Sequence, residues 1–223
     1  MHDTAMRSGK LFFDTYVRGM RDGVIVVDIG AQDVNGSLRS VCPNNANYIG
    51  VDFADEKGVD IVLDDPYKLP FDDDSIDVVV SSSCFEHSEM FWLTFLEICR
   101  VMKPSGIFYL NAPSNFFFHR YPVDCYRFYP DSANALAKWA RRNKYNTCVL
   151  EHYTSGADYV AVFLNDERYV TDFQNRSIYY VPDFSCGAIY PEMETFVFPG
   201  NLGEKKLTHY ASHLGDVELF IKK

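Results

Sequence analysis

Short apolar runs rich in β-branched residues recur along the chain and are separated by polar turns. Runs of this kind are typical of strands that are buried in a parallel sheet. They predict strands at residues 24–28, 48–52, 60–63, 76–80, 106–110, 147–150 and 217–221. Segments of helical length lie between several of them, at residues 9–20, 37–41, 91–102 and 131–142. The alternation predicts an α/β fold, with a mostly parallel sheet covered by helices on both faces.

The segment from Ser155 to Gly215 departs from this alternation. It is rich in Tyr, Phe, Pro and Asn, and it is too long for a simple connection. We interpret it as an insertion on the acceptor side of the protein, and its composition fits a lid, an acceptor platform or a dimer interface. Residues 1–223 are then expected to form one domain.

Composition restricts the class of protein further. The 31 acidic residues outnumber the 21 Lys and Arg residues and give a formal net charge of -10, which disfavours a nucleic-acid partner. No apolar run approaches the roughly 20 residues of a membrane span, and the first residues lack the order of a secretory signal. The six cysteines form no C-x-x-C pair, so we expect reduced thiols and a cytoplasmic location. His209 and His213 share helical spacing without a carboxylate partner, and no metal site is predicted.

Ligands of an open parallel sheet bind beyond the carboxyl ends of the strands, and four predicted strand ends carry unusual residues. Gly30 follows Asp28 at the first end, where a glycine turn lets a ligand approach the backbone. Asp52 closes the second strand about twenty residues later, where a carboxylate can accept both hydroxyls of a ribose. Asp65 follows the third strand, and the polar residues 81–87 follow the fourth. The pairing of Gly30 with Asp52 favours a nucleoside ligand.

With these four ends in place, residues 24–112 resemble the class I S-adenosylmethionine-dependent methyltransferases. The most specific segments are LPFDDDSIDVV at residues 69–79 and EICRVMKPSG at residues 97–106. The resemblance implies a Rossmann-like fold with a seven-stranded, mostly parallel sheet and an antiparallel C-terminal strand, which we match to residues 216–221. It also implies S-adenosylmethionine (SAM) as the cofactor and S-adenosylhomocysteine (SAH) as the product.

The family pattern also implies roles for single residues. Asp28, Gly30 and Gln32 would face the methionine part of SAM, Asp52 the ribose, Asp65 the adenine amine, and Ser82 or Ser83 the other side of the cofactor. The first family motif usually has three closely spaced glycines, whereas this chain has Gln32 between Gly30 and Gly36. Two other interpretations stay open: a module that kept the fold and lost catalysis, and an NAD-type dehydrogenase, which the missing G-x-G-x-x-G disfavours.

An aromatic and polar run, residues 111–130, follows the fifth strand, where an acceptor must sit. It resembles a subgroup of these methyltransferases that is associated with glycan synthesis in bacteria and some large viruses, sometimes as a module of a longer glycosyltransferase. Aromatic faces stack on pyranose rings and polar groups fix hydroxyls. The residues that we expect to contact the acceptor are Asn111, Tyr121, Tyr126 and Arg127. The alternative is a buried loop pinned by an ion pair between Asp124 and Arg127.

A sugar hydroxyl is a poor nucleophile at neutral pH, so a positioned base must remove its proton as attack proceeds. We expect His119 to be that base. His87 is the second candidate, with an equally good interpretation as a structural histidine beside Glu86, and Asp124 is able to orient a histidine or to act itself. The leading hypothesis is a SAM-dependent O-methyltransferase of a saccharide hydroxyl, such as that of rhamnose. Alternative acceptors are a small metabolite and a lipid-linked precursor, and the sequence does not define the oligomeric state.

Overall fold

The computed structural model describes residues 2–174 and 176–178, together with the backbone of three further strands. Helix α1 (Asp3–Phe12) continues as a π-helical turn (Phe13–Val17). Five strands follow, β1 (Val24–Ile29), β2 (Ala46–Asp52), β3 (Ile61–Val62), β4 (Ile76–Ser82) and β5 (Met102–Pro113). A 3₁₀ turn (Leu38–Val41) lies between β1 and β2, and helix α2 (Phe91–Val101) lies between β4 and β5.

The second half begins with helix α3 (Ser132–Arg142). Strands β6 (Cys148–Ser155) and β7 (Asp158–Leu164) follow as a hairpin, and then a 3₁₀ segment (Glu167–Phe173). The three strands described by their backbone alone are β8 (Cys186–Tyr190), β9 (Thr195–Phe198) and β10 (Glu218–Ile221). Each of the first six predicted strands overlaps an observed strand. Each predicted helical segment overlaps an observed helix or helical turn.

All described strands belong to one sheet, in the order β3-β2-β1-β4-β5-β7-β6-β9-β8-β10. Strand β1 pairs in parallel with β2 and β4, and β4 pairs in parallel with β5. Strand β7 runs antiparallel to both of its neighbours, β5 and β6. The first seven strands therefore form the mostly parallel sheet that the sequence predicts, with one reversed strand.

An antiparallel strand is present where the sequence predicts one, but a second reversed strand was not predicted. This second strand is β7, which lies inside the sheet with all of its residues buried. The interpretation of residues 155–215 as an insertion was therefore wrong for residues 158–164. Gly156 has a φ of +57° and lies in the tight turn between β6 and β7. Residues 218–221 do form a strand, antiparallel to β8 at the outer edge, whereas residues 216 and 217 lie outside the described part of the chain.

Alternating side chains of the strands enter two separate apolar layers. In β1, Val24 and Val26 face the layer that contains α1 and its π-helical extension, with Phe12 and Tyr16 fully buried there. Val27 and Ile29 face the opposite layer, which contains α2 and α3. Burying a large apolar side chain contributes roughly 1.5–3 kcal/mol, so both layers hold the sheet rigid. This rigidity fixes the positions of the strand ends.

Two expectations from composition concern membrane spans and free thiols. None of the described helices is both long enough and apolar enough to cross a bilayer. The five cysteines whose side chains are described, Cys42, Cys84, Cys99, Cys125 and Cys148, carry free thiols. Cys186 belongs to a strand described by its backbone alone.

Candidate functional site

A cavity of about 630 Å³ lies at the carboxyl ends of β1, β2 and β4. This volume falls within the range of about 300–1,000 Å³ that is usual for small-molecule sites. The expected site residues that line it are Asp28, Gly30, Gln32, Asp52, Ser82, Ser83, His87, His119 and Tyr121. Those that do not line it are Asp65, Asn111, Asp124, Tyr126 and Arg127. The cavity therefore unites most of the expected cofactor residues with both candidate bases.

The turn after β1 passes close to the end of β4. Gly30 has a φ of +81°, and a Cβ atom there would lie 2.5 Å from the Cys84 side chain, so only glycine fits. The backbone N–H of Gly30 donates to the carbonyl of Val51 at 3.0 Å and ties the turn to β2. Among the described non-glycine residues, a positive φ occurs only at Asp74, Ser83 and Lys144, so Gln32 has an ordinary backbone conformation. This explains why the turn does not need a glycine at position 32.

Two carboxylates stand at neighbouring strand ends. Asp28 is buried, and the Tyr48 hydroxyl donates to its Oδ2 at 2.6 Å. Burial raises the pKa of Asp28 to about 6, although the Tyr48 hydrogen bond opposes this shift. Asp52 accepts backbone hydrogen bonds from Gln32 at 3.3 Å and from Ala54 at 3.2 Å. The backbone thus fixes the Asp52 carboxylate at the cavity wall.

Polar groups at the end of β4 are linked to β5 by Asn111. The Ser82 hydroxyl donates to Asn111 Oδ1 at 3.5 Å, and the Ser83 backbone N–H donates to the Asn111 carbonyl at 3.0 Å. Asn111 is fully buried and lies outside the cavity lining, whereas both serines line it. Asn111 therefore supports the serine wall and has no direct access to an acceptor.

A glutamate and two histidines converge on the cavity. Glu86 is 1% exposed, and neither of its carboxylate oxygens accepts a hydrogen bond from another described residue. Burial raises the pKa of Glu86 to about 8. The His87 Nε2 atom lies 3.6 Å from Glu86 Oε1, and the rings of His87 and His119 are 5.0 Å apart between centroids. The sequence identifies Glu86 only as a neighbour of His87, since nothing in its spacing predicts a buried carboxylate without a hydrogen bond.

Hydrogen bonds define the free ring nitrogen of each histidine. His87 Nδ1 donates to the Val123 carbonyl, and His119 Nδ1 donates to the Phe117 carbonyl at 3.0 Å. A carbonyl only accepts, so each Nδ1 carries the proton and each neutral ring keeps a lone pair on Nε2. Burial lowers the pKa of His87, which favours this neutral form.

The segment after β5 is held by the ion pair of Asp124 and Arg127. The guanidinium donates to both Asp124 oxygens, at 2.6 and 2.8 Å, and the His119 backbone N–H donates to the same carboxylate at 2.6 Å. Arg127 also donates to the carbonyls of Phe116, Phe117 and Tyr126. The Arg127 hydrogen bonds hold the pKa of Asp124 far below its usual range. The structure thus contains the ion pair that the sequence offered as the alternative interpretation.

Aromatic rings form the outer rim of this segment. Phe117 and Phe118 are 70% and 69% exposed, and Tyr121 is 50% exposed. Of these three rings, Tyr121 lines the cavity. The Phe116 ring, which stacks on that of Phe117, lines it as well. Tyr126 points elsewhere, because its hydroxyl donates to the Glu89 carbonyl at 2.9 Å and its ring packs against Phe91.

The expected adenine contact is not at the cavity. Asp65 is exposed and closes a turn by accepting from the Tyr67 backbone N–H at 2.9 Å. Two exposed apolar residues that sequence analysis did not select, Val34 and Phe53, line the cavity instead. Phe53 directly follows the carboxylate at the end of β2, and this adjacency is the signal by which it could have been found.

Comparisons with known proteins agree with this geometry. Residues 24–110 match the family model described as a methyltransferase domain. No curated protein matches the sequence. A SAM-dependent methyltransferase from Archaeoglobus fulgidus has 15% identity and a TM-score of 0.54, over 71% of this chain and 94% of that one.

The names of two further solved structures state which kind of atom is methylated. The Burkholderia thailandensis 1,6-didemethyltoxoflavin-N1-methyltransferase, with SAH bound, has 14% identity and a TM-score of 0.53, over 74% of this chain and 80% of that one. The CurJ carbon methyltransferase has 15% identity and a TM-score of 0.53, over 74% of this chain and 56% of that one. Both structures resemble this chain in fold alone. One of them is named for methylation of nitrogen and the other for methylation of carbon.

The family match and the strand order together confirm the predicted fold, a Rossmann-like class I methyltransferase fold. Residues 24–110 thus form a methyltransferase domain, and its fold is that of solved methyltransferases that depend on SAM as their cofactor. The cavity fits this cofactor, because it offers a glycine turn, a backbone-fixed carboxylate and an exposed aromatic ring at the ends of adjacent strands.

Proposed function

We propose that this methyltransferase transfers the methyl group of SAM to a hydroxyl of a saccharide. One observation carries the proposal: exposed aromatic rings and two imidazoles with free Nε2 lone pairs line the same cavity as the cofactor residues. Aromatic rings offer stacking surface to a pyranose, and an imidazole accepts a hydroxyl proton. We assign residues 113–130 to the acceptor side of one methyltransferase domain.

The residues proposed to hold SAM lie at the strand ends. In this proposal Asp52 binds the ribose, and Asp28, Gly30 and Gln32 surround the methionine part, with Ser82 and Ser83 beside them. We move the adenine contact from Asp65 to Phe53, because Phe53 lines the cavity and Asp65 does not. When bound, SAM supplies an electrophilic methyl group on its sulfonium sulfur.

His119 is the proposed base. Its Nδ1–H is held by the Phe117 carbonyl, so the Nε2 lone pair is the part of the ring that can take the hydroxyl proton. His87 presents the same tautomer and is the second candidate. Asp124 is a positioning residue in this proposal, because both of its oxygens accept from Arg127 and it does not line the cavity.

The test measures cofactor binding and methyl transfer separately. Calorimetric titration with SAH checks the cofactor site, and radiolabelled SAM with rhamnose-containing glycans checks the acceptor. We expect His119→Ala to lower turnover at least roughly 100-fold while SAH affinity stays within about threefold. His2→Ala is the matched control, because His2 lines the same cavity outside the histidine pair and is expected to keep turnover.

Three results would count against parts of the proposal. Normal turnover of His119→Ala would remove His119 as the base. Methylation of small metabolites or lipid-linked precursors, with every glycan inert, would replace the saccharide acceptor. SAH binding without transfer to any acceptor of the panel would favour a module that binds the cofactor and has lost catalysis.

A further inference from the structure

We propose that Glu86, His87 and His119 bind a divalent transition-metal ion at the acceptor end of the cavity. Each residue offers one ligand atom, and the three atoms lie within 4.8 Å of one another. Two imidazole nitrogens and one carboxylate oxygen form a ligand set that binds Zn²⁺ and similar ions and leaves a coordination position open. The site goes beyond the proposed function, because it does not depend on the identity of the acceptor.

The first argument is the state of Glu86. A carboxylate that is 1% exposed is normally hydrogen-bonded, because burying a charge without a partner is costly. Both oxygens of Glu86 lack a hydrogen-bond partner among the described residues, although the residue lines the cavity. A cation is the kind of ligand that would satisfy a carboxylate in this environment, and it would do so directly at the cavity wall.

The second argument is the orientation of the two histidines. A histidine that ligates a metal usually donates its other ring N–H to a carbonyl or carboxylate, which fixes the ring and its tautomer. His87 and His119 each donate Nδ1–H to a backbone carbonyl, of Val123 and Phe117 respectively. Both Nε2 lone pairs are therefore prepared for a ligand, although the two residues come from different segments of the chain.

The distances require only a small adjustment. Ligand atoms at about 2.1 Å from a tetrahedral Zn²⁺ lie roughly 3.4 Å apart. His87 Nε2 and Glu86 Oε1 are already at 3.6 Å. The three ligand atoms all lie within 4.8 Å of one another, so no pair of them needs to approach by more than about 1.4 Å.

The site bears on the proposed function at one point. A cation and a proton compete for the same Nε2 lone pair of His119. The metal-free protein offers this lone pair as a base, whereas the metal-loaded protein offers an open coordination position to an acceptor oxygen at the same place. Metal binding is therefore measured without acceptor and without SAM.

The experiment uses untagged protein that has been dialysed against a chelator. Zn²⁺ is titrated calorimetrically, and Co²⁺ is titrated while its visible absorption spectrum is followed. We expect one ion per chain, with micromolar or tighter affinity for Zn²⁺ and the intense spectrum of a four-coordinate Co²⁺ site. Glu86→Gln and His87→Gln should each weaken binding at least roughly tenfold, because each removes one of three ligands.

Two controls keep the test decisive. His2→Gln removes a cavity histidine outside the cluster and should leave Zn²⁺ affinity within about twofold. SAH affinity and the melting temperature show that each variant is folded, and Glu86→Gln keeps the side-chain shape. Failure to bind Zn²⁺ or Co²⁺, or binding that Glu86→Gln and His87→Gln leave unchanged, would overturn the metal site. Absence of methyl transfer, with metal binding intact, would count against the proposed function alone.

Discussion

Two walls of the cavity are held in place by different means. The cofactor wall, with Asp28, Gly30, Asp52 and Ser82, stands on strand ends whose register is set by the sheet. The acceptor wall, the part of residues 113–122 that lines the cavity, belongs to an irregular segment that is held by the ion pair of Asp124 with Arg127 and by backbone hydrogen bonds to Ala157 and Glu86. The cofactor wall is therefore coupled to the stability of the whole sheet, whereas the acceptor wall can lose its shape while the sheet stays folded.

The largest expected effect comes from breaking the acceptor wall at Arg127. Arg127→Met leaves the buried Asp124 carboxylate without its partner, a change that costs about 3 kcal/mol locally. A misplacement of His119 by about 1 Å is enough for a roughly 100-fold loss of turnover. We expect this loss in a methyl-transfer assay, with SAH affinity within about threefold of the wild type.

Arg168→Met is the matched control for Arg127→Met. It removes an arginine paired to an aspartate outside the cavity lining, and turnover should be unchanged. Equal loss of SAH affinity and turnover in Arg127→Met would show that the two walls are not independent.

The second effect concerns the pH dependence of the cofactor wall. The pKa of Asp28 is raised by burial to about 6 in the folded protein, from 3.8. The folded state thus holds this proton more tightly than the unfolded state, so the contribution to stability is present below about pH 4 and is lost as the pH rises through about 6. The loss amounts to at most about 3 kcal/mol.

Denaturant unfolding at pH 4.5 and pH 7.5 measures this effect. Relative to wild type, Asp28→Asn should gain stability at the higher pH by about 1–3 kcal/mol, because its amide does not ionise. Tyr48→Phe is a useful comparison, since it removes the hydrogen bond that stabilises the ionised form of Asp28 and should increase the loss. A wild type and an Asp28→Asn variant with parallel pH profiles would contradict the shift.

The sequence allowed much of the cofactor wall to be predicted, because local signals carry it. A β-branched run, a glycine turn and a terminal carboxylate placed Asp28, Gly30 and Asp52 without knowledge of distant contacts. Strand β7 has the same kind of continuous apolar run as the predicted strands, and it was missed because the aromatic segment around it was interpreted as an insertion. Its pairing between β5 and β6 depends on long-range register, which no local pattern contains.

The acceptor wall was less predictable for a different reason. Asp124 and Arg127 are three residues apart in an irregular segment, and such a pair fits a substrate contact as well as a structural ion pair. The direction of the Arg127 guanidinium decides between the two, and it follows from carbonyls that only the folded segment brings together. Glu86 is a similar case, because its isolation is a property of the packed neighbours and not of the sequence around it.

The third effect concerns the Asp52 carboxylate of the cofactor wall. Asp52→Asn removes the charge from a carboxylate proposed to accept the ribose hydroxyls, and hydrogen bonds to charged groups contribute about 1.5–3 kcal/mol. We expect the dissociation constant for SAH to rise about 10–100-fold. Asp65→Asn is the matched control, because Asp65 lies outside the cavity lining, and SAH affinity should stay within about twofold. Weakened binding in Asp65→Asn would restore the adenine role that the family pattern implies.

The smallest expected effect tests whether the cofactor wall is independent of residues 69–73, which Arg100 holds in place. Arg100 donates two hydrogen bonds to Glu97 and one each to Asp73 and to the carbonyls of Leu69 and Phe71. It thereby joins the two segments that most resemble the methyltransferase family. Lysine keeps the charge but cannot make these contacts together, so Arg100→Lys should lower the free energy of unfolding by about 1–2 kcal/mol.

The same variant should leave the cofactor site intact. Neither Arg100 nor residues 69–73 line the cavity, so calorimetry is expected to give the wild-type affinity for SAH. Arg168→Lys, at an ion pair whose arginine is well exposed, should change the unfolding free energy by less than about 0.5 kcal/mol. Weakening of SAH binding by more than about threefold in a folded Arg100→Lys variant would contradict this expectation. The strand ends alone would then not account for SAH affinity, and residues 69–73 would contribute to binding.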